Sequence, residues 1–346
     1  MTSKPSNTTF YYQIVDLLQS ARKKVVQTVN QTMVHSYFEI GRMIVEEEQD
    51  GKERADYGKQ ILKELSTILT ERFGKGFSVD NLENMRRLYV TYGKSETPSR
   101  ISGKANSETP SRNFKLSWSH YLKLMRIEDI NERQFYEIES FKNNWSVREL
   151  QRQFDSALYG RLALSRDKEK VKELSEKGLV IEKPKDAIKD PFILEFLGLP
   201  EHSNYTENEL EQELINKLEN FLLELGNGFT FVARQKRISF NEKHFRIDLV
   251  FYNRMLKCFV LIDLKIGEIK HQDIGQMQMY VNYYDREVRL KEENKTIGII
   301  LCKDKDDTVV EYTLPENNEQ IFASKYQTIL PTKKQLQLLM TEKENK

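Results

Sequence analysis

The sequence predicts a two-part fold, an α-helical front half followed by an α/β back half. Three observations lead there. Apolar residues recur at helical spacing through roughly the first 180 positions. After residue 229 that period gives way to short strand-like runs. The 346 residues also exceed the size at which a single hydrophobic core usually stops growing.

Composition narrows the class. Hydrophobic residues make up 38% of the chain, with 16 Tyr, 18 Phe and 2 Trp as bulky core material, so full disorder is excluded. No run approaches the ~18 apolar residues of a membrane span. The segment Met1 to Thr9 is polar and lacks a signal-peptide core. Two cysteines, Cys258 and Cys302, cannot build a disulfide framework or a Cys-rich zinc site. The expectation is a cytoplasmic protein with no membrane partner.

The front half starts with an amphipathic pattern, Tyr12, Val15, Leu18 and Val25, continuing through Val29, Met33, Phe38, Ile40 and Ile44. Glu46 to Gly51 reads as an acidic turn. Ile61, Leu62, Leu65, Ile68 and Leu69 mark a second helix, stopped near Gly74 and Gly76. Ser78 is a candidate N-cap for a third, with Leu82, Met85, Leu88 and Tyr89 on one face. Helix, Gly turn and helix follow the layout of a helix-turn-helix. Asn81, Asn84, Arg86 and Arg87 on the last helix are side chains able to meet bases and phosphates, which makes Arg86 and Arg87 candidate substrate-binding residues. An ordinary helical hairpin with a solvated polar face reads the same way.

The hexamer SETPSR occurs at 95–100 and again at 107–112, in text poor in apolar residues. A flexible loop over 93–113 is expected, with Lys94, Arg100, Lys104 and Arg112 as solvated charges. Helical text resumes at Trp118, Tyr121, Leu122 and Met125, then at Gln134, Phe135, Ile138 and Phe141. Ser146 and Glu149 form a capping-box pair. Lys183-Pro184-Lys185-Asp186 reads as a linker, giving a helical domain over 1–182 and an α/β domain over 190–346. Residues 1–170 carry a net charge of +5 and residues 171–346 a net of −4. That is the balance of a phosphate-binding module joined to a carboxylate-bearing one, although ordinary surface variation reaches the same size.

In the back half, Glu207 to Leu225 reads as one long helix ended by Gly226-Asn227-Gly228. Three strands at hairpin spacing follow, Thr230–Ile238, Phe245–Tyr252 and Lys257–Lys265. A helix over Ile274–Tyr284 and a buried-type strand over Thr296–Leu301 complete an αβββαβ order.

Charges inside these strands carry the chemistry. Asp248 lies in RIDLVF and Asp263 and Lys265 lie in VLIDLK, runs that otherwise read as core. A lone buried carboxylate is costly. Asp263 and Lys265, at i and i+2, share one face of a strand. The short turn near Asn253–Leu256 brings Asp248 back beside them. Two converging carboxylates make a hard oxygen site suited to Mg²⁺ or Mn²⁺. Lys265 beside such an ion is placed to orient a water and stabilise negative charge. A buried ion pair with Asp248 as accessory is the bland alternative, and such pairs add little net stability.

Asp248…Asp263-Leu264-Lys265 resembles the PD-(D/E)xK nuclease motif. With Trp145–Leu150, Asp190–Leu199, Leu222–Gln235 and Gly275–Tyr280, nearly the whole chain resembles the bacterial YhcG-like family. The resemblance implies a restriction-endonuclease-like αβββαβ domain behind a helical, helix-turn-helix-like domain. It implies a metal-dependent endonuclease acting on DNA. Carried over by position, Asp248, Asp263 and the Leu264 carbonyl would ligate the metal and Lys265 would act on the water. Glu211 on the preceding helix is the candidate additional ligand, with Glu207 as runner-up. Gln276 and Tyr280 resemble the QxxxY motif that braces such sites, and Arg234 and Gln235 are further substrate-binding candidates. Asp263 departs from the Glu many relatives carry. Alternatives are a non-catalytic DNA-binding adaptor on a nuclease scaffold and a nuclease acting on RNA. A homodimer and partner proteins of a defence or mobile-element setting stay open.

Other site types are absent from the text. The five histidines show no HExxH spacing, and Gly74-Lys75-Gly76 is not a phosphate-binding loop. No Ser-centred nucleophile elbow occurs.

Overall fold

The computed structural model describes residues 8–50, 55–93, 113–164, 168–199, 205–240 and 242–331. Both SETPSR copies and their four basic residues lie outside them. The chain divides between Leu150 and Gln151 into two compact units.

The first unit is helical. Its described elements are α1 (Thr8–Asp50), α2 (Ala55–Phe73), α3 (Val79–Tyr92), α4 (Trp118–Leu124) and α5 (Ile130–Lys142). The text read as an acidic turn after Ile44 is instead the end of α1, as far as Asp50. Arg42 holds that end helical by pairing with Glu39 and Glu46, three and four residues away, at 2.9 and 2.7 Å. Ser78 caps α3 as expected, its hydroxyl accepting from the Asn81 amide. Leu82, Met85, Leu88 and Tyr92 are its buried face; Tyr92, not Tyr89, completes the stripe. A Cβ on Gly41 would overlap the Met85 carbonyl, so glycine is what lets α1 and α3 approach at that point.

The division falls within α6 (Val147–Asp155), and the second unit continues with α7 (Leu158–Leu164), α8 (Lys168–Lys177), β1 (Phe192–Ile193), α9 (Glu207–Asn216), α10 (Leu218–Leu225), β2 (Phe229–Phe240), β3 (Lys243–Asn253), β4 (Cys258–Glu268), α11 (His271–Tyr283), β5 (Ile297–Asp304), α12 (Asp307–Thr313) and β6 (Ile321–Gln327). The six strands form one sheet in the order β1-β6-β5-β4-β3-β2. β2, β3 and β4 are an antiparallel meander. β5 lies parallel to β4 after the α11 crossover, and β6 and β1 extend the parallel side. Leu249, Phe251, Ile262 and Leu264 pack with Leu210, Leu214 and Phe221 of α9 and α10. Ile247, Val250, Leu261 and Ile300 pack with Met277, Tyr280 and Val281 of α11. The expected αβββαβ order is present, inside a three-layer arrangement.

Two readings in this unit change. The long helix over 207–225 breaks at Lys217, where φ is −118° and ψ is 36°. The Lys217 ammonium there donates to the carbonyls of Phe196 and Leu197 at 2.8 and 2.9 Å. Lys183–Asp186 is not an extended linker. A 3₁₀ turn covers Pro184–Ala187, and Ala187 at its end and Ile188 after it are buried in the α9/α10 core. β1, β6 and α12 carry too little pattern to be read from text.

Beneath this core lies a buried ionic knot. Arg161 and Glu224 are both fully buried and meet at 2.7 Å. Glu224 also accepts from the Ile193 amide at 3.0 Å, and Arg152 approaches it at 3.4 Å while pairing with Glu195 at 2.7 Å. Lys189 donates to the Glu224 carbonyl. Burial alone would raise the Glu224 carboxyl, but Arg161, Lys189 and Arg152 outweigh it and hold the group at about 2. Its contribution to stability is complete above the ordinary 4.5 and is lost as pH falls toward 2. Glu224→Gln strands Arg161 in the interior, and urea unfolding at neutral pH is expected to show a loss of ~3–5 kcal/mol. The gap between variant and wild type should close in acid.

Candidate active site

The β2–β3–β4 meander carries two aspartates to one point. The β3–β4 ladder runs as far as Leu249 opposite Ile262, so Asp248 and Asp263, one residue further along each strand, fall level where the regular pairing stops. Asp248 Oδ2 accepts the Leu264 amide at 2.9 Å. Asp263 and Lys265 alternate with Ile262 and Leu264, which point into the α9/α10 core. Asp263 is only 2% exposed.

The electrostatics of the pair are unfavourable by themselves. Burial first, and the Asp248 charge second, raise the Asp263 carboxyl above the ordinary range, with Lys265 opposing. Burial likewise raises Asp248, against the Leu264 amide and Lys265. Lys265 Nζ lies 2.9 Å from Asp263 Oδ2 and 3.7 Å from Glu207. Burial would lower this lysine, but Asp263 outweighs burial and keeps it charged.

Gln235 stands between carboxylates from two elements. The pairs Arg234–Leu249 and Lys236–Ile247 leave it level with Asp248. Its amide donates to Asp248 Oδ1 at 3.1 Å and also to Glu211 of α9. Its φ of 45° is in the left-handed region, unusual for a strand residue that is not glycine. Arg234 lies 3.2 Å from Glu211 and donates to Gln212 at 3.1 Å. Gln276 and Tyr280 share a face of α11 as expected. Gln276 donates to the Tyr280 hydroxyl, which in turn donates to the Arg246 carbonyl at 2.8 Å. These two residues brace β3 just ahead of Asp248.

The candidates on α3 are already engaged. Arg86 pairs with Glu48 at 2.6 Å and Arg87 donates to the Met125 carbonyl at 3.1 Å. Asn81 accepts from the Trp118 indole at 3.0 Å, and Asn84 bonds back to its own helix at Asp80. Both arginines keep exposed surface.

The donor set fits a divalent cation. Asp263 Oδ2 and Glu211 Oε1 are buried with no directed hydrogen-bond donor; Lys265 lies at ion-pair distance from the first and Arg234 stands beside the Glu211 carboxylate at the second. Spare lone pairs on mutually repelling carboxylates favour a positive ion. No three His, Cys, Asp or Glu side chains among the described residues form a ready cage, since the Gln235 amide sits between Glu211 and Asp248. Three features of this arrangement are not readable from the sequence: the backbone twist at Gln235, Glu207 as the partner of Lys265, and the Arg246 carbonyl as the anchor for Tyr280. None leaves a mark in residue type.

Residues 185–341 match the family described as YhcG PDDEXK nuclease domain, and residues 13–161 match the DUF1016 N-terminal domain. The chain is 39% identical to the Escherichia coli (strain K12) protein named "Putative nuclease YhcG", over 97% of this chain and 95% of that protein. Among solved structures it is similar to a repair endonuclease from Pyrococcus abyssi, at 16% identity and a TM-score of 0.26, over 38% of this chain. An EndoMS–double-stranded DNA complex matches at 15% identity and 0.26, over 39% of this chain. The match spans about half the length of each of these two structures.

The repulsion between the aspartates has a measurable signature. A carboxyl with a raised folded value binds more protons folded than unfolded, so stability falls as pH rises from its ordinary 3.8 through the raised range. In metal-free buffer near pH 8, Asp263→Asn is expected to be as stable as wild type or more so, by about 1 kcal/mol. The wild-type denaturation midpoint should decline across that range more steeply than the variant's.

Proposed function

The chain belongs to the YhcG family, with its PDDEXK nuclease domain, and from that premise we propose that it is a divalent-metal-dependent endonuclease that hydrolyses phosphodiester bonds in DNA. In this proposal the helical part, 1–182, engages the nucleic acid and the part over 190–346 cuts it. The observation that carries the reading is the buried Asp263 beside the half-buried Asp248 and a charged Lys265, three costly groups on one hairpin edge.

Asp248 and Asp263 would hold the cation, with Glu211 within reach through Gln235. A divalent ion supplies positive charge to phosphate oxygens and makes a water more acidic. The chain does the rest. Gln235 and the Leu264 amide fix both oxygens of Asp248. Lys265 Nζ, held charged by Asp263, offsets negative charge that grows on the phosphate. Gln276 and Tyr280 act as positioning residues by fixing the β3 backbone at Arg246.

A second observation supports a polyanionic substrate. Arg237 on β2 lies directly opposite Arg246 on β3, two residues along each strand from Gln235 and Asp248. Both are exposed. Like charges facing each other across a ladder are unfavourable unless an anion sits with them. Two residues along a strand span ~7 Å, so this pair is placed to take phosphate beside the one being cut.

Plasmid nicking with Mg²⁺ tests the proposal. Wild type is expected to nick, and Asp263→Ala and Lys265→Ala to lose roughly a hundredfold or more. Equal nicking by all three would overturn the site. DNA binding without cleavage in Mg²⁺ or Mn²⁺ would favour the adaptor, and cleavage of RNA alone would overturn the substrate. For Arg237→Ala with Arg246→Ala, weaker DNA binding is expected, with a log–log salt slope shallower by about two. An unchanged slope would remove these arginines from the interface.

A further inference from the structure

The amino-terminal half of α1 is apolar and uncovered by any described residue. Ten large apolar side chains between Phe10 and Val29 are 40–68% exposed. The carboxy-terminal half turns different positions, Val34, Phe38 and Ile44, into buried contacts. The exposed stripe is therefore separate from the face this helix uses for its own unit. A soluble chain rarely leaves such a surface open unless something binds it.

The spacing of the stripe fits a helix as its partner. Tyr11, Val15, Leu18, Arg22, Val25 and Val29 follow one another at intervals of four and three, the seam of a coiled coil. The seam is symmetric about position 20: Tyr11 and Val29, Val15 and Val25, and Leu18 and Arg22 lie at equal distances on either side. A helix with that symmetry is complementary to a second copy of itself running the other way. The charge decides the direction. A parallel, in-register pair would face Arg22 with Arg22 at one layer, whereas an antiparallel pair sets Arg22 against Leu18. The span of about 30 Å is also sufficient. Burying roughly half of the exposed apolar surface on two such helices removes on the order of 1,200 Å² from water, the size of a standard stable interface.

We propose that the exposed face of α1 is a homodimerisation surface, occupied by α1 of a second copy of this chain in antiparallel orientation about position 20. This pairing does not depend on the nuclease reading.

Light scattering of the full chain at micromolar concentration tests it. Twice the chain mass is expected for wild type, and a single-chain mass for Leu18→Glu with Val25→Glu at wild-type circular dichroism. A dimer that survives the double variant would overturn the surface. A monomeric wild type would overturn the proposal, whether the helix is then found on anionic vesicles or covered by other residues of its own chain. A cysteine pair reports the direction independently, because the native Cys258 and Cys302 are buried. Val15→Cys with Val25→Cys should cross-link to twice the mass under mild oxidation, and Val15→Cys alone should not. Cross-linking of the single variant would overturn the antiparallel arrangement.

Discussion

Two carboxylates brought together at the margin of the core, one buried and one half-buried, set the terms for the second unit. Asp248 and Asp263 meet where the β3–β4 ladder ends, and both carboxyls are raised by burial. A sheet built for stability alone would place apolar residues at such positions. Lys265 relieves part of the repulsion and leaves an arrangement still short of positive charge. In the proposed function, a cation and beyond it a phosphate would fill that electrostatic deficit.

The rest of the unit keeps that deficit rigid. Leu249, Ile262 and Leu264 anchor the strands on one side and Ile247 and Leu261 on the other, so the aspartates cannot swing away to water. Gln235 accepts a strained backbone to reach two carboxylates at once, the sort of local cost that recurs at working sites. On the far side of the core, Glu224 shows the opposite solution to burying charge. It is surrounded by Arg161, Arg152 and Lys189 and its proton is held off to about 2. One buried carboxylate is fully compensated and serves the fold; the other two are not.

The fold and the site were legible to different depths. The meander and the crossover helix followed from alternation and turn spacing, because each strand buries whole runs of Val, Ile, Leu and Phe. Asp248, Asp263 and Lys265 stood out as charges inside those runs. Lys217 ending a helix did not stand out, since its break depends on the carbonyls of Phe196 and Leu197, distant in sequence. β1 is two residues long and exists only through its pairing with β6. The Glu224–Arg161 pair leaves no mark in sequence, because its two members stand 63 residues apart. Arg86 and Arg87 read as candidates for phosphate contact, and sequence does not reveal that Glu48 and the Met125 carbonyl bond to them.

Calorimetric titration of the metal-free protein with Mn²⁺ near neutral pH bears most directly on the Asp248–Asp263 pair. The account expects saturable binding with proton release that changes with buffer ionisation heat, since an ion that takes a raised carboxyl must displace its proton. Asp263→Asn should abolish both. Absence of Mn²⁺ binding, or binding that the substitution leaves untouched, would contradict the claim that these two carboxylates are buried together to hold a cation.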